Sequence, residues 1–84
     1  MTDATVKEKL TRCFRTMFPS LPEASIPRAS TNTVSAWDSL AAITLLRLVE
    51  EEFDTEVDLA KLGDLNSFES LAEYLTIKSA QGVL

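Results

Sequence analysis

Hydrophobic residues recur at helical spacing in four segments of the chain, and no segment reads as a strand. The first segment runs from near residue 3 to residue 18 and ends at Pro19, because proline cannot continue a helix. Its inward face consists of Val6, Leu10, Cys13, Phe14 and Met17. We therefore predict a first helix here, with the single cysteine as a core residue rather than a reactive thiol.

A long segment, residues 19–37, separates the first helix from the second. It contains all three prolines of the chain and a stretch rich in serine, threonine and asparagine, which predicts a loop. Structureless loops longer than about 12–15 residues are usually functional or disordered. Four apolar side chains are expected to hold this loop to the bundle: Leu21, Ile26, Val34 and Trp37.

The second helix is predicted to have Asp38 as its N-cap and to run to Phe53. With about 3.6 residues per turn, its core face consists of Ala42, Leu45, Leu46, Val49 and Phe53. Its other face consists of Leu40, Ile43, Thr44, Arg47 and Glu51, with Glu50 at the border. Two aliphatic side chains therefore project from a face that should be polar. They either pack under the long loop or form a docking surface for a partner.

The remainder of the chain predicts one short and one long helix. After a connector over residues 54–57, residues 58–62 form a short helical turn that ends at Gly63, a residue suited to a left-handed position. Asn66 and Glu69 form a plausible capping pair for the last helix, which is expected to end near Lys78. Residues 81–84 are expected to form a frayed tail.

These elements predict an all-α fold, a small antiparallel four-helix bundle with three long helices, one short helix and a long first loop. Residues 1–80 are expected to form a single domain. A chain of 84 residues buries only about 60–65% of its unfolded surface, which leaves little room for a deep active site. A carrier or binding module is therefore favoured over an enzyme.

Composition excludes several kinds of chemistry. The chain has no histidine and one cysteine, so disulfide frameworks, zinc or other metal sites built on Cys and His, and His-based triads are ruled out. Thirteen acidic and eight basic residues give a net charge of −5, which argues against nucleic acid and favours positively charged protein partners. The sequence has neither a membrane-spanning stretch nor a signal peptide pattern, so we expect a cytoplasmic protein.

The candidate chemistry lies at Asp38-Ser39-Leu40, where a hydroxyl is expected at an exposed helix start. An Asp-Ser at such a place is ordinarily just a cap. Here it opens a helix that ends in three glutamates, Glu50 to Glu52, followed by Phe53. The glutamates are either a solvated helix face or contacts for Lys and Arg patches on a partner. Because acidic side chains are unfavourable at a helix C-terminus, we favour docking.

The stretch from Trp37 to Phe53 resembles the phosphopantetheine attachment region of acyl carrier proteins, and Val57, Leu65 and Phe68 extend the match. The resemblance implies that Ser39 is linked to 4′-phosphopantetheine, which a separate phosphopantetheinyl transferase takes from coenzyme A, with Asp38 and Leu40 as the flanking motif residues. It implies a monomeric carrier, not an enzyme, whose loading and transferring partners have basic docking patches. The candidate docking residues are Leu40, Ile43, Thr44, Arg47, Glu50 and Glu51.

Departures from the family pattern favour a specialised carrier, in polyketide or specialised lipid synthesis, over the housekeeping carrier of fatty acid synthesis. The Asp-Leu-Gly-Ala run before the family motif is replaced by a sequence that ends in Trp37. Ala41 and Thr44 stand where such carriers tend to have acids, and Arg47 stands at a usually apolar position. Two alternatives stay open: an aminoacyl or peptidyl carrier, although its Gly-Gly context is missing, and a small helical adaptor without a prosthetic group.

Overall fold

The computed structural model describes residues 3–80, which form three α-helices and two short 3-10 helices. The α-helices are α1 (Asp3–Met17), α2 (Ser39–Phe53) and α3 (Phe68–Ala80). The 3-10 helices are Glu23–Arg28, in the first loop, and Leu59–Lys61, between α2 and α3. The predicted all-α bundle is confirmed, and the described residues contain no β-strand. The predicted tail, residues 81–84, lies outside the described residues.

Helix α1 packs against both other α-helices. It runs antiparallel to α3, because Asp3 at its start accepts a hydrogen bond from Thr76 near the end of α3, whereas Phe14 near its end contacts Phe68 at the start of α3. None of the helices within residues 3–80 has the length and apolar character of a membrane span.

The pairing of α1 with α2 is also antiparallel. Lys9 Nζ lies 5.6 Å from the centre of the Phe53 ring, at the end of α2. The ring of Phe18, just after α1, lies 5.9 Å from the ring of Trp37, just before α2. These contacts place the end of α1 beside the starts of both other α-helices.

The core follows the predicted apolar faces closely. The buried core residues on α1 are Val6, Leu10, Cys13 and Phe14, whereas Met17, also predicted on this face, is only partly buried. The predicted large residues on α2 are also buried: Leu45, Leu46, Val49 and Phe53. The prediction differs at the first turn of α2, where Ala41 is buried and Ala42 is only partly buried against the core. Ala41 precedes the buried Leu45 by four residues, so the two lie on the same face of the helix.

The first loop contains more structure than the sequence indicated, because residues 23–28 form a 3-10 helix. The predicted anchors Ile26, Val34 and Trp37 are buried, and Leu21 is partly buried. The end of this 3-10 helix is tied to the start of α3, where the Phe68 N–H donates to the Ala29 carbonyl at 2.9 Å. The loop is therefore a packed part of the bundle.

Two local predictions in the second half of the chain were wrong. Helix α3 is capped by Ser67 and Ser70, not by Asn66 and Glu69: the Ser70 N–H donates to Ser67 Oγ at 3.0 Å, and the Ser67 N–H donates to Ser70 Oγ at 3.1 Å. A serine pair thus replaces the expected pattern, because α3 begins one residue later than predicted.

The second error concerns the left-handed position. Gly63 does not adopt a left-handed backbone, whereas Asp54, directly after α2, does so with φ 51°. The chain around Gly63 continues in right-handed turns, in which the Leu65 N–H donates to the Lys61 carbonyl at 3.1 Å. The left-handed residue is instead needed at the sharp exit from α2.

Candidate functional site

Helix α2 begins at Ser39 and is capped by Asp38. Asp38 has an extended backbone, and its Oδ1 accepts a hydrogen bond from the Ala41 N–H at 2.8 Å. Its carbonyl oxygen accepts from the Ala42 N–H, also at 2.8 Å, which starts the helical pattern. The predicted N-cap is therefore confirmed.

Trp37 anchors the chain immediately before this cap. Its side chain is 3% exposed, and its ring contacts Phe14 edge to face with 5.3 Å between the ring centres. Its backbone N–H donates to the Val34 carbonyl at 3.0 Å. Aromatic burial therefore fixes the backbone two residues before Ser39, and the long first loop delivers the start of α2 to one defined place.

The Ser39 side chain is exposed, and its hydroxyl has no hydrogen-bond partner within residues 3–80. The backbone N–H groups of Ser39 and Leu40 also have no acceptor there, because the Asp38 side chain takes only the N–H of Ala41. Free N–H groups and the helix dipole favour negative charge at a helix start. A phosphate ester on the Ser39 hydroxyl therefore fits this position.

The outer face of α2 presents apolar side chains to solvent. Leu40 is 74% exposed and Ile43 is 38% exposed, so the alternative in which the long loop covers these side chains is wrong for Leu40. Thr44 and Arg47 are exposed on the same face. The Thr44 hydroxyl donates to the Leu40 carbonyl at 3.1 Å, and Arg47 Nη1 lies 3.5 Å from Glu50 Oε1.

The three consecutive glutamates have different surroundings. Glu50 Oε2 accepts a hydrogen bond from the Val57 N–H at 2.9 Å, which ties the connector after α2 to the helix. Glu52 Oε1 accepts from Arg12 Nη1 at 2.9 Å and joins α2 to α1. Glu51 is exposed and has no partner among the described residues. Two of the three carboxylates therefore have intramolecular contacts that the sequence did not reveal.

A groove of about 670 Å³ lies at the end of α2, between that helix and the connector. Leu59, the first residue of the second 3-10 helix, is 51% exposed at its edge. The sequence analysis did not identify Leu59 as a candidate. Asp58 is the N-cap of the second 3-10 helix, and Leu59 follows this cap with its side chain exposed. The charged side chains that line the groove are Arg47, Glu50, Glu51, Asp54 and Glu56.

Cys13 does not belong to this site. It is 4% exposed on α1. Burial, reinforced by the negative charge of Glu52, raises the pKa of the Cys13 thiol to about 11, and the nearby Arg12 only partly opposes this shift. The thiol is therefore protonated at neutral pH, which agrees with the predicted structural role.

Comparison with known protein families identifies the site. The family model for the phosphopantetheine attachment site matches residues 37–75, which include the cap, all of α2, the connector and more than half of α3. No curated protein and no solved structure gives a significant match to the chain. The resemblance inferred from the sequence is confirmed: residues 37–75 match the phosphopantetheine attachment site, at which 4′-phosphopantetheine is attached covalently, and this is consistent with a member of the acyl carrier protein family.

Proposed function

We propose that Ser39 carries the 4′-phosphopantetheine arm and that the protein carries acyl groups between biosynthetic enzymes. One observation supports this most strongly: the exposed hydroxyl without a partner at the start of α2 lies inside the matched region. In the reaction with a phosphopantetheinyl transferase, Ser39 Oγ loses its proton and displaces adenosine 3′,5′-bisphosphate from coenzyme A, forming a new phosphate ester. The terminal thiol of the bound arm holds an acyl group as a thioester.

The residues around Ser39 have distinct parts in this proposal. Asp38 holds the first turn through the Ala41 N–H, and the N–H groups of Ser39 and Leu40 stay available to phosphate oxygens. The protein presents the hydroxyl, while the transferase supplies the base that activates it. We therefore extend the proposal to a protein without catalytic activity of its own.

The α2 docking face is the second part of the proposal, and its members are Leu40, Ile43, Thr44, Arg47, Glu50 and Glu51. Leu40 and Ile43 offer apolar contacts beside Ser39, and Glu51 offers a free carboxylate to a basic patch. Such contacts are weak and sensitive to salt, which suits exchange between partners. The tethered arm compensates by raising the effective concentration of its cargo at each docked enzyme.

A specialised acyl pathway, such as polyketide or specialised lipid synthesis, is the proposed setting. Thr44 and Arg47 are exposed on the α2 docking face. Carriers of ordinary fatty acid synthesis tend to have an acidic residue at the first of these positions and an apolar residue at the second. The proposal also places the protein in the cytoplasm as a monomer. The alternative function, an aminoacyl or peptidyl carrier, is tested by incubating the modified protein with adenylating enzymes and following thioester formation.

The direct test of the carrier proposal is the mass of the intact protein after incubation with coenzyme A and a broad-specificity phosphopantetheinyl transferase. We expect one added phosphopantetheine group. Ser39→Ala should abolish the addition, whereas the matched control Ser35→Ala, at an exposed serine in the preceding loop, should not. Addition to the Ser39→Ala variant would contradict the assignment.

A helical adaptor without a prosthetic group is the second candidate, because the α2 docking face and the groove at the end of α2 do not include Ser39. The two functions differ in one respect: an adaptor keeps its activity when Ser39 is replaced by alanine, and a carrier loses it. Complementation of a deletion strain by the Ser39→Ala variant would therefore favour the adaptor.

A further inference from the structure

We infer that the acyl group carried by this protein stays outside the helical bundle, so that the cargo is a short or polar acyl group rather than a long apolar chain. The inference rests on the proposed attachment of the arm to Ser39. A long apolar chain gains free energy by leaving water and would enter the bundle if its interior could receive it. The cargo class therefore depends on how the interior beneath Ser39 is filled.

An aromatic cluster fills the bundle at the end where Ser39 lies. Phe14 is fully buried at its centre, and the centres of three other rings lie around it: Trp37 at 5.3 Å, Phe68 at 5.3 Å and Phe18 at 5.9 Å. All four side chains are at most 5% exposed. These distances are those of aromatic rings in direct contact, so the cluster has no gap between rings for a methylene chain.

The backbone around the cluster holds the rings in place. Phe68 is the first residue of α3, and its N–H donates to the Ala29 carbonyl of the first loop at 2.9 Å. Phe14 belongs to α1, and Trp37 is held by the hydrogen bond of its N–H to Val34. A chain that entered here would have to separate residues from three α-helix ends at once, and close-packed interiors resist such displacement.

A second route would start from the groove between α2 and the connector that follows it. Five of the eight residues that line this groove are charged, which does not favour an apolar chain, and the groove is separated from the core by the connector itself. Val57 is 6% exposed beneath the connector, and its N–H is bound by the Glu50 carboxylate at 2.9 Å. From the other side, Lys78 Nζ donates to the Glu56 carbonyl at 2.9 Å. Polar contacts on both sides therefore hold the connector over the core, and an entering chain would have to break them.

The test loads Ser39 from acetyl-, hexanoyl- and dodecanoyl-coenzyme A with a broad-specificity transferase and confirms each product by intact mass. Two properties are then measured: the melting temperature and the emission of Trp37, the only tryptophan of the chain. The buried Trp37 indole N–H has no acceptor within residues 3–80, so a carbonyl group that entered the cluster would bind it and shift the emission.

We expect the three acyl forms to melt within about 1 °C of one another and to share one emission spectrum. A melting temperature that rises with chain length, by roughly 5 °C or more for dodecanoyl, or an emission shift with chain length would overturn the inference. Failure of the proposed function looks different, because no acyl form is then obtained at all.

A variant with more space provides the matched control. Phe14→Leu removes the central ring of the cluster and keeps an apolar side chain. We expect its dodecanoyl form to melt at a higher temperature than its acetyl form, because the chain can fill the space that the ring leaves. A Phe14→Leu variant whose melting temperature is independent of chain length would overturn the claim that the aromatic cluster keeps the chain out.

Discussion

Glu50 provides a prediction that separates stability from docking. Although it belongs to the proposed α2 docking face, its Oε2 accepts a hydrogen bond from the Val57 N–H at 2.9 Å, and its side chain is only 22% exposed. Its neighbour Glu51 is exposed and has no partner among the described residues. Replacing each with alanine therefore removes the same charge from the same helix end but breaks an internal hydrogen bond only at Glu50.

The expected magnitude follows from that bond. Leaving a buried N–H without an acceptor costs about 1–3 kcal/mol, and the half-buried position of Glu50 puts Glu50→Ala in the lower half of this range. Glu50→Gln keeps an oxygen acceptor for Val57 but loses the assistance of the charge and the exposed ion pair with Arg47, so it should cost about half as much. Glu51→Ala should change the free energy of unfolding by less than about 0.5 kcal/mol.

Urea unfolding followed by circular dichroism measures these differences. In a domain of this size each 1 kcal/mol also lowers the melting temperature by about 4–8 °C, so thermal unfolding provides a second readout. The reasoning is refuted if Glu50→Ala and Glu51→Ala have equal stability, because the contact with Val57 would then contribute nothing measurable.

Three further predictions concern other residues. Asp38→Ala should lower the free energy of unfolding by about 0.5–2 kcal/mol, whereas Asp38→Asn, which keeps a capping oxygen, should leave it nearly unchanged in urea titrations; equal losses would contradict the cap. Burial raises the pKa of the Cys13 thiol from 9.0 to about 11, so its contribution to stability is fully present below pH 9 and is lost as pH rises to 11. We expect the loss relative to Cys13→Ala to be about 1–2 kcal/mol, since solvent partly screens the thiolate; a stability difference between the two proteins that does not change with pH would count against it. Leu40→Ala should leave stability unchanged and lower kcat/KM for modification by the transferase about tenfold, equivalent to about 1.4 kcal/mol; an unaltered kcat/KM would remove Leu40 from the α2 docking face.

Helix α2 was predictable because its signals are local. The capping side chain of Asp38 and the apolar spacing that ends at Phe53 both act within a few residues, and the structure reproduces both ends of the helix. The phosphopantetheine attachment site was recognisable for the same reason, since its motif and its helix are contiguous. The sequence placed Leu40 on the outer arc of this helix but left open whether the long loop covers it, and only the structure shows that it is exposed.

Contacts between distant segments were beyond sequence reasoning. The hydrogen bond from the Val57 N–H to Glu50 depends on how the chain turns after the left-handed Asp54, and no residue pattern announces that path. The cap of α3 was misassigned because Ser67 and Ser70 satisfy each other at the same spacing as a Ser-Glu pair. The aromatic cluster likewise brings together residues from three separate segments.

The central claim is that Ser39 bears the arm, and tandem mass spectrometry of a protease digest tests it most directly. The protein is first incubated with coenzyme A and a phosphopantetheinyl transferase that also modifies a known carrier in a parallel sample. We predict that the arm is found on the peptide that spans the start of α2 and that fragment ions locate it on Ser39. An arm on Ser35 or on any other serine, or an unmodified protein beside a fully modified control carrier, would contradict the account.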